Sequence, residues 1–133
     1  MESVFVWTED YSVGVEDIDD QHKKIFQFIN ELSDCLAGGG EKQAVEDIVM
    51  QMVDYVVYHF RTEEKYLFGH PDFASHRRQH NDFSQKALAC QESVIEDPEV
   101  VGREAVAFLQ SWLNDHILYV DKRIFADLMK DTG

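Results

Sequence analysis

Apolar positions recur at separations of three and four along most of this chain, and the rhythm stops at Gly38-Gly39-Gly40, at Pro71 and at Pro98. Glycine runs and prolines end helices, so the pattern predicts four of them, over about 17–37, 41–68, 72–94 and 98–129, behind an arm over 1–16. The first stripe is Ile18, His22, Ile25, Ile29, Leu32 and Leu36; the second is Val45, Ile48, Met52, Val56, His59, Glu63 and Leu67. The third holds Phe73, His76, His80, Phe83, Ala87 and Cys90, and the fourth Ala105, Phe108, Trp112, His116, Val120, Ile124 and Leu128. Short connections make successive helices antiparallel neighbours, which predicts an all-α, up-down-up-down four-helix bundle with a short N-terminal arm, one domain over 1–133. Phe5, Trp7 and Tyr11 of the arm are expected to pack across one end of that bundle.

Composition narrows the picture. No apolar run approaches the roughly 20 residues that span a bilayer, and the opening MESVFVWTED carries three acids and no base, unlike a secretory signal. A cytoplasmic protein, or a domain of one, is expected. The formal charge of -14 disfavours nucleic acid and anionic membranes as partners. Cys35 and Cys90 are far apart and form no CxxC, so they read as free thiols in a reducing compartment.

The informative feature is where polar residues interrupt the stripes. Five of the six histidines, and Glu63, lie on faces otherwise made of Ile, Val, Leu, Phe and Trp. A carboxylate buried without a partner costs several kcal/mol, and Arg61 and Lys65 should point away from that face. Imidazoles beside a carboxylate are what a transition-metal site requires. His59-x-x-x-Glu63 and His76-x-x-x-His80 each put two such groups one turn apart on one face, with His22 and His116 supplied by the other two helices. Asp121 follows His116 by five positions, about 140° around an ideal helix. Spacing therefore leaves it the weakest candidate, able to join only if the side chain leans inward or the helix loosens, as at a π-bulge.

The ordered set His22, His59-x-x-x-Glu63, His76-x-x-x-His80, His116-x-x-x-x-Asp121 resembles the ligand signature of the hemerythrin family. The flanking text agrees: Val13-Gly14-Val15 before Ile18-Asp19-Asp20-Gln21-His22, His59-Phe60 leading to Glu63-Glu64, and Asn114-Asp115-His116-Ile117. The resemblance runs from Trp7 to about Phe125, with Tyr66-Leu67 standing where many relatives have Leu-Met. It implies two non-haem irons with an oxo or hydroxo bridge. His76, His80 and His116 would hold one iron, His22 and His59 the other, and Glu63 and Asp121 would bridge them. His70 matches no ligand position and is expected to be a solvent-exposed loop residue.

That ligand count leaves one position open on the second iron, where dioxygen would bind. The implied function is reversible dioxygen binding, as carrier, store or delivery protein, and not enzymatic. Ile25, Phe60, Trp112, Leu113 and Ile117 are expected to form an apolar pocket around the open position. The Glu-x-x-His motif of oxygen-activating di-iron bundles is absent. The alternatives are an oxygen- or redox-sensing domain of a signalling protein, slow di-iron turnover of peroxide or nitric oxide, and, less consistent with the ligand set, structural zinc. A complete gene product would favour delivery, an excised domain sensing. Besides dioxygen, a protein acceptor or signalling partner is implied, its identity left open by the residues.

Overall fold

The structure, a computed structural model, describes residues 5–94 and 96–132. The first four residues of the expected arm and Ile95 lie outside the described residues. A short 3₁₀ turn, Glu9–Tyr11, precedes α1 (Glu16–Ala37), α2 (Lys42–Leu67), α3 (Phe73–Val94) and α4 (Pro98–His116). A π turn, Ile117–Asp121, joins α4 to its continuation α5 (Lys122–Thr132). Helices α1 and α3 each pack against both α2 and α4, which closes the all-α, up-down-up-down four-helix bundle.

Local chemistry sets the helix ends. Gly39 takes φ +88°, which L side chains rarely adopt. At Gly40 a Cβ would come within 3.0 Å of Val45 Cγ2 and 3.1 Å of the Cys35 carbonyl oxygen, so the α1–α2 corner needs glycine at both positions. Asp97 caps α4 by accepting from the Val100 amide, with Pro98 in the first turn where its missing N–H is no loss. Glu16, Asp17 and Asp19 place negative charge at the positive end of α1.

The buried interior divides into two apolar clusters with a polar layer between them. Along α1 the order is Ile18, then His22, then Ile25 through Leu36; α2 reads in reverse, from Val45 through His59 and Glu63 to Leu67. The last helix repeats it: Ala105 to Ile117 in the larger cluster, then Asp121, then Ile124 and Phe125 in the smaller. Antiparallel packing thus brings the histidine-bearing turns to one level.

The arm differs from expectation. It runs along the α1–α4 seam instead of crossing an end. Phe5 stacks on Phe26 at 3.6 Å between ring centroids, and its amide and carbonyl both bond Asn30 of α1. The Tyr11 hydroxyl donates to Asn114 of α4 at 2.7 Å, and Asp19 accepts from Ser12 and the Val13 amide. Polar groups at matching heights on two helices fixed this route, and alternation of hydrophobic positions does not encode them.

The fourth stripe also departs from a regular helix. In the π turn the Lys122 amide bonds back to the Ile117 carbonyl, five residues earlier. A π turn is one extra residue accommodated without changing the helix on either side. Tyr119 lies within it and is 70% exposed. Deleting Tyr119 should therefore leave a continuous α-helix with the bundle intact, measured as unchanged far-ultraviolet circular dichroism and a cooperative melt; loss of the folded state would show that the turn is structurally obligatory.

Candidate metal centre

Seven polar side chains converge in the layer between the two clusters. His22 comes from α1, His59 and Glu63 from α2, His76 and His80 from α3, His116 from the last turn of α4 and Asp121 from the end of the π turn. All seven are buried, Glu63, Asp121 and His22 completely. One turn of helix separates the members of each pair on α2 and α3. The π turn does the same for His116 and Asp121, since the extra residue turns a five-residue spacing back onto one face.

The oxygens of the two carboxylates are shared out between the imidazoles. Glu63 Oε1 lies 2.6 Å from His59 Nε2 and 3.0 Å from His22 Nε2. Glu63 Oε2 lies 3.1 Å from His80 Nε2 and 3.6 Å from His76 Nε2. Asp121 Oδ1 lies 2.7 Å from His76 Nε2 and 3.1 Å from His116 Nε2, while its Oδ2 faces His22 Nε2 at 3.4 Å. Each carboxylate therefore turns one oxygen toward a half with two histidines and the other toward a half with three.

Several of these atoms approach without hydrogen-bond geometry. His80 Nε2, His116 Nε2, Glu63 Oε2 and Asp121 Oδ2 have no hydrogen-bond partner although they are buried. Buried polar atoms are normally paired, so a group of orphans at one point signals something they share. Lone pairs aimed at a common ion have this arrangement. Glu63 with His76, His80 and His116, and Glu63 with His22 and His59, each present one atom per residue within 4.8 Å of the others. Nitrogen and carboxylate donors suit iron, and thiolates, which would favour zinc, are absent from the cluster.

The charge state of the layer is set by burial and by the approach of these side chains to one another. Burial raises the Glu63 carboxyl, but the His59 charge and the close approach of the His22, His59 and His80 imidazoles outweigh it and hold the group well below the ordinary carboxylate range. Asp121 is likewise lowered: burial and Glu63 oppose its ionisation, while His116 and His22 favour it more strongly. Burial acts to lower His22, yet the carboxylates of Asp121 and Glu63 beside it prevail and push it up to about 9. Burial lowers His59 and His80. The layer thus holds two ionised carboxylates that call for positive charge, and a metal held there would compete with protons for the same imidazole nitrogens.

Comparison with known proteins decides the family. Residues 13–128 match the hemerythrin HHE cation binding domain. The chain belongs to the hemerythrin family. It is similar to the bacteriohemerythrin of Methylococcus capsulatus, 32% identical, with 90% of this chain and 93% of that one aligned. The bacteriohemerythrin of Clostridium acetobutylicum is 27% identical over 90% of this chain and 97% of its own. A solved wild-type hemerythrin superposes with a TM-score of 0.85 at 32% identity, covering 94% of this chain and 98% of the other. Hemerythrins bind a non-haem di-iron centre, and the buried histidine and carboxylate cluster is able to hold it. Among the described residues no helix is long and apolar enough to cross a membrane.

The surroundings of this hemerythrin layer place the nominated aromatics and correct one expectation. Phe60, nominated for the pocket, meets His59 at 5.8 Å between ring centroids and stacks face to face on His80 at 3.8 Å, and Trp112 stacks on His116 at 4.4 Å. Phe60 follows His59 directly and so points about 100° away from it, toward α3. Ile25, Leu113 and Ile117 are buried in the larger cluster with Phe60. His70 is not the solvent-exposed residue expected. Its side chain is only 7% exposed, because Nδ1 accepts from the Asp72 amide and Nε2 lies 3.7 Å from Asp127.

Two positioning residues, and an acid close to a third histidine, escaped the stripe pattern. Gln21 Oε1 accepts from His59 Nδ1 at 2.8 Å, Gln79 Oε1 accepts from His116 Nδ1 at 3.1 Å, and Glu64 Oε1 lies 3.6 Å from His80 Nδ1. Gln21 is itself held by Thr62, whose hydroxyl bonds the Tyr58 carbonyl. Each glutamine precedes a histidine on its own helix but bonds the histidine of a neighbour. The available signal was a polar residue beside each of His22, Glu63 and His80, turned toward the next helix. Such partners fix the tautomer so that Nε2 faces the centre. Gln21→Leu or Gln79→Leu should lower metal affinity by about 10- to 100-fold with the fold intact. Competition against a chelator of known affinity would show it, and unchanged binding would reduce the glutamines to packing.

Proposed function

We propose that this hemerythrin binds dioxygen reversibly at two irons, one held by His76, His80 and His116 and the other by His22 and His59, with Glu63 and Asp121 bridging. The observation that carries the reading is the division of the carboxylate oxygens, one toward two imidazoles and one toward three. Five donors on one side and one fewer on the other give unequal halves, and the half with fewer donors has room for a small ligand. When bound, the iron pair supplies the redox capacity that lets dioxygen be held and given back.

The protein's own side chains supply the rest. Gln21 and Gln79 hold the His59 and His116 imidazoles in orientation. Phe60, Trp112 and Phe83 form an aromatic wall behind the three-histidine half, and Ile25, Leu113 and Ile117 are nominated for the apolar lining beside the open position. Such a lining excludes water and slows loss of the oxygen-binding state. The five imidazoles donate less negative charge than carboxylates would, which disfavours the high oxidation states that oxygen activation requires. Carriage, storage or delivery of dioxygen therefore fits better than enzymatic turnover. The two free cysteines, Cys35 and Cys90, fit a reducing cytoplasm.

The test is spectroscopic. Iron-loaded protein, reduced under argon and then given air, should develop a visible charge-transfer band that fades on deoxygenation and returns through repeated cycles. A direct, irreversible passage to a ferric spectrum would contradict reversible binding.

A further inference from the structure

We propose that the cleft between the C-terminal end of α2 and the start of α3 is a docking site for an acidic segment of a partner protein. The cleft has a volume of about 570 Å³ and is lined by Arg61, Glu64, Lys65, Phe68, Phe73 and Arg77. Only 12 basic residues stand against 26 acidic ones in the chain, and three of the twelve line this one cleft. Arg61, Lys65 and Arg77 are exposed and take part in no ion pair among the described residues.

That arrangement runs against the electrostatics of the molecule. A surface with so many carboxylates can pair its cations readily, and three like charges around one depression repel one another. Glu64, the one acid in the cleft, faces inward to His80 instead of pairing with them. The cations are therefore left for something from outside. Two guanidinium groups favour carboxylates, which they bind through paired N–H donors. Apolar surface accompanies them: Phe68 is 81% exposed and meets Phe73 edge to face at 5.8 Å, a ready platform for one aromatic or aliphatic side chain.

The occupant that fits is a short stretch of aspartate and glutamate carrying one large apolar residue. A nucleic acid fits less well, because its phosphates would continue past three cations onto a surface of net charge -14. The position has a consequence. Glu64 both lines the cleft and lies 3.6 Å from His80 Nδ1, so a docked chain sits beside a side chain that touches the metal layer. Docking itself does not depend on the oxygen-binding reading, whereas this consequence does.

The experiment uses the iron-loaded full chain and a fluorescently labelled peptide of aspartates and glutamates around a central phenylalanine, followed by anisotropy. Binding should saturate and weaken by at least about tenfold between about 50 and 300 mM salt. Arg61→Ala with Arg77→Ala should weaken it at least about tenfold, as should Phe68→Ser, through loss of the anchoring contacts. Lys42→Ala, an exposed charge at the opposite end of α2, should leave it unchanged. Unaltered visible spectra in all variants would show that the centre and fold persist. Absence of saturable binding, equal loss with Lys42→Ala, or insensitivity to Arg61, Arg77 and Phe68 would overturn the proposal. So would equally tight binding of a single-stranded oligonucleotide with the same dependence.

Discussion

A carboxylate taken out of water without a compensating charge costs several kcal/mol even after relaxation, and this bundle buries two completely, Glu63 and Asp121. Five imidazoles surround them, drawn from all four helical stripes. Hydrogen bonding within the group satisfies only part of its capacity, and His80 Nε2, His116 Nε2, Glu63 Oε2 and Asp121 Oδ2 are left over in the layer. The arrangement makes sense around positive ions, and the rest of the structure serves it. Two apolar clusters seal the layer above and below, antiparallel packing brings the contributing turns level, and glutamines on neighbouring helices hold the rings.

The bundle was legible because its signal is periodic. Ile18, Ile25, Ile29 and Leu32 repeat at helical spacing, and all are buried where the stripe puts them. Glycine and proline marked the corners for reasons the backbone confirms at Gly39 and Gly40. The convergence of His22, His59, Glu63, His76, His80 and His116 followed from the same periodicity, since polar residues in an apolar stripe must face the interior and one another. Asp121 was different. A regular helix turns it away from His116, and only the resemblance of the whole pattern to a known family argued for its inclusion. The π turn supplies the physical reason.

What stayed hidden depends on neighbours. The route of the arm rests on Asn30 and Asn114, whose heights on different helices no single stripe reports. The stacking of Phe60 on His80 and of Trp112 on His116 was hidden too, because a helical offset gives direction around one axis and not which helix stands opposite. His70 looked like a loop residue and is one, yet local bonds to Asp72 and nearby Asp127 draw its ring inward. The unpaired cations beside Phe68 are likewise visible only in three dimensions, since Arg61 and Arg77 belong to different helices.

In the proposed centre the two carboxylates join two unequal metal sites. Diffraction from crystals of the iron-loaded protein, recorded on both sides of the iron absorption edge, tests it most directly. Two anomalous peaks are expected, one among His22, His59, Glu63 and Asp121 and the other among His76, His80, His116, Glu63 and Asp121. A single peak, or a pair that leaves either carboxylate outside the coordination of both ions, would contradict it.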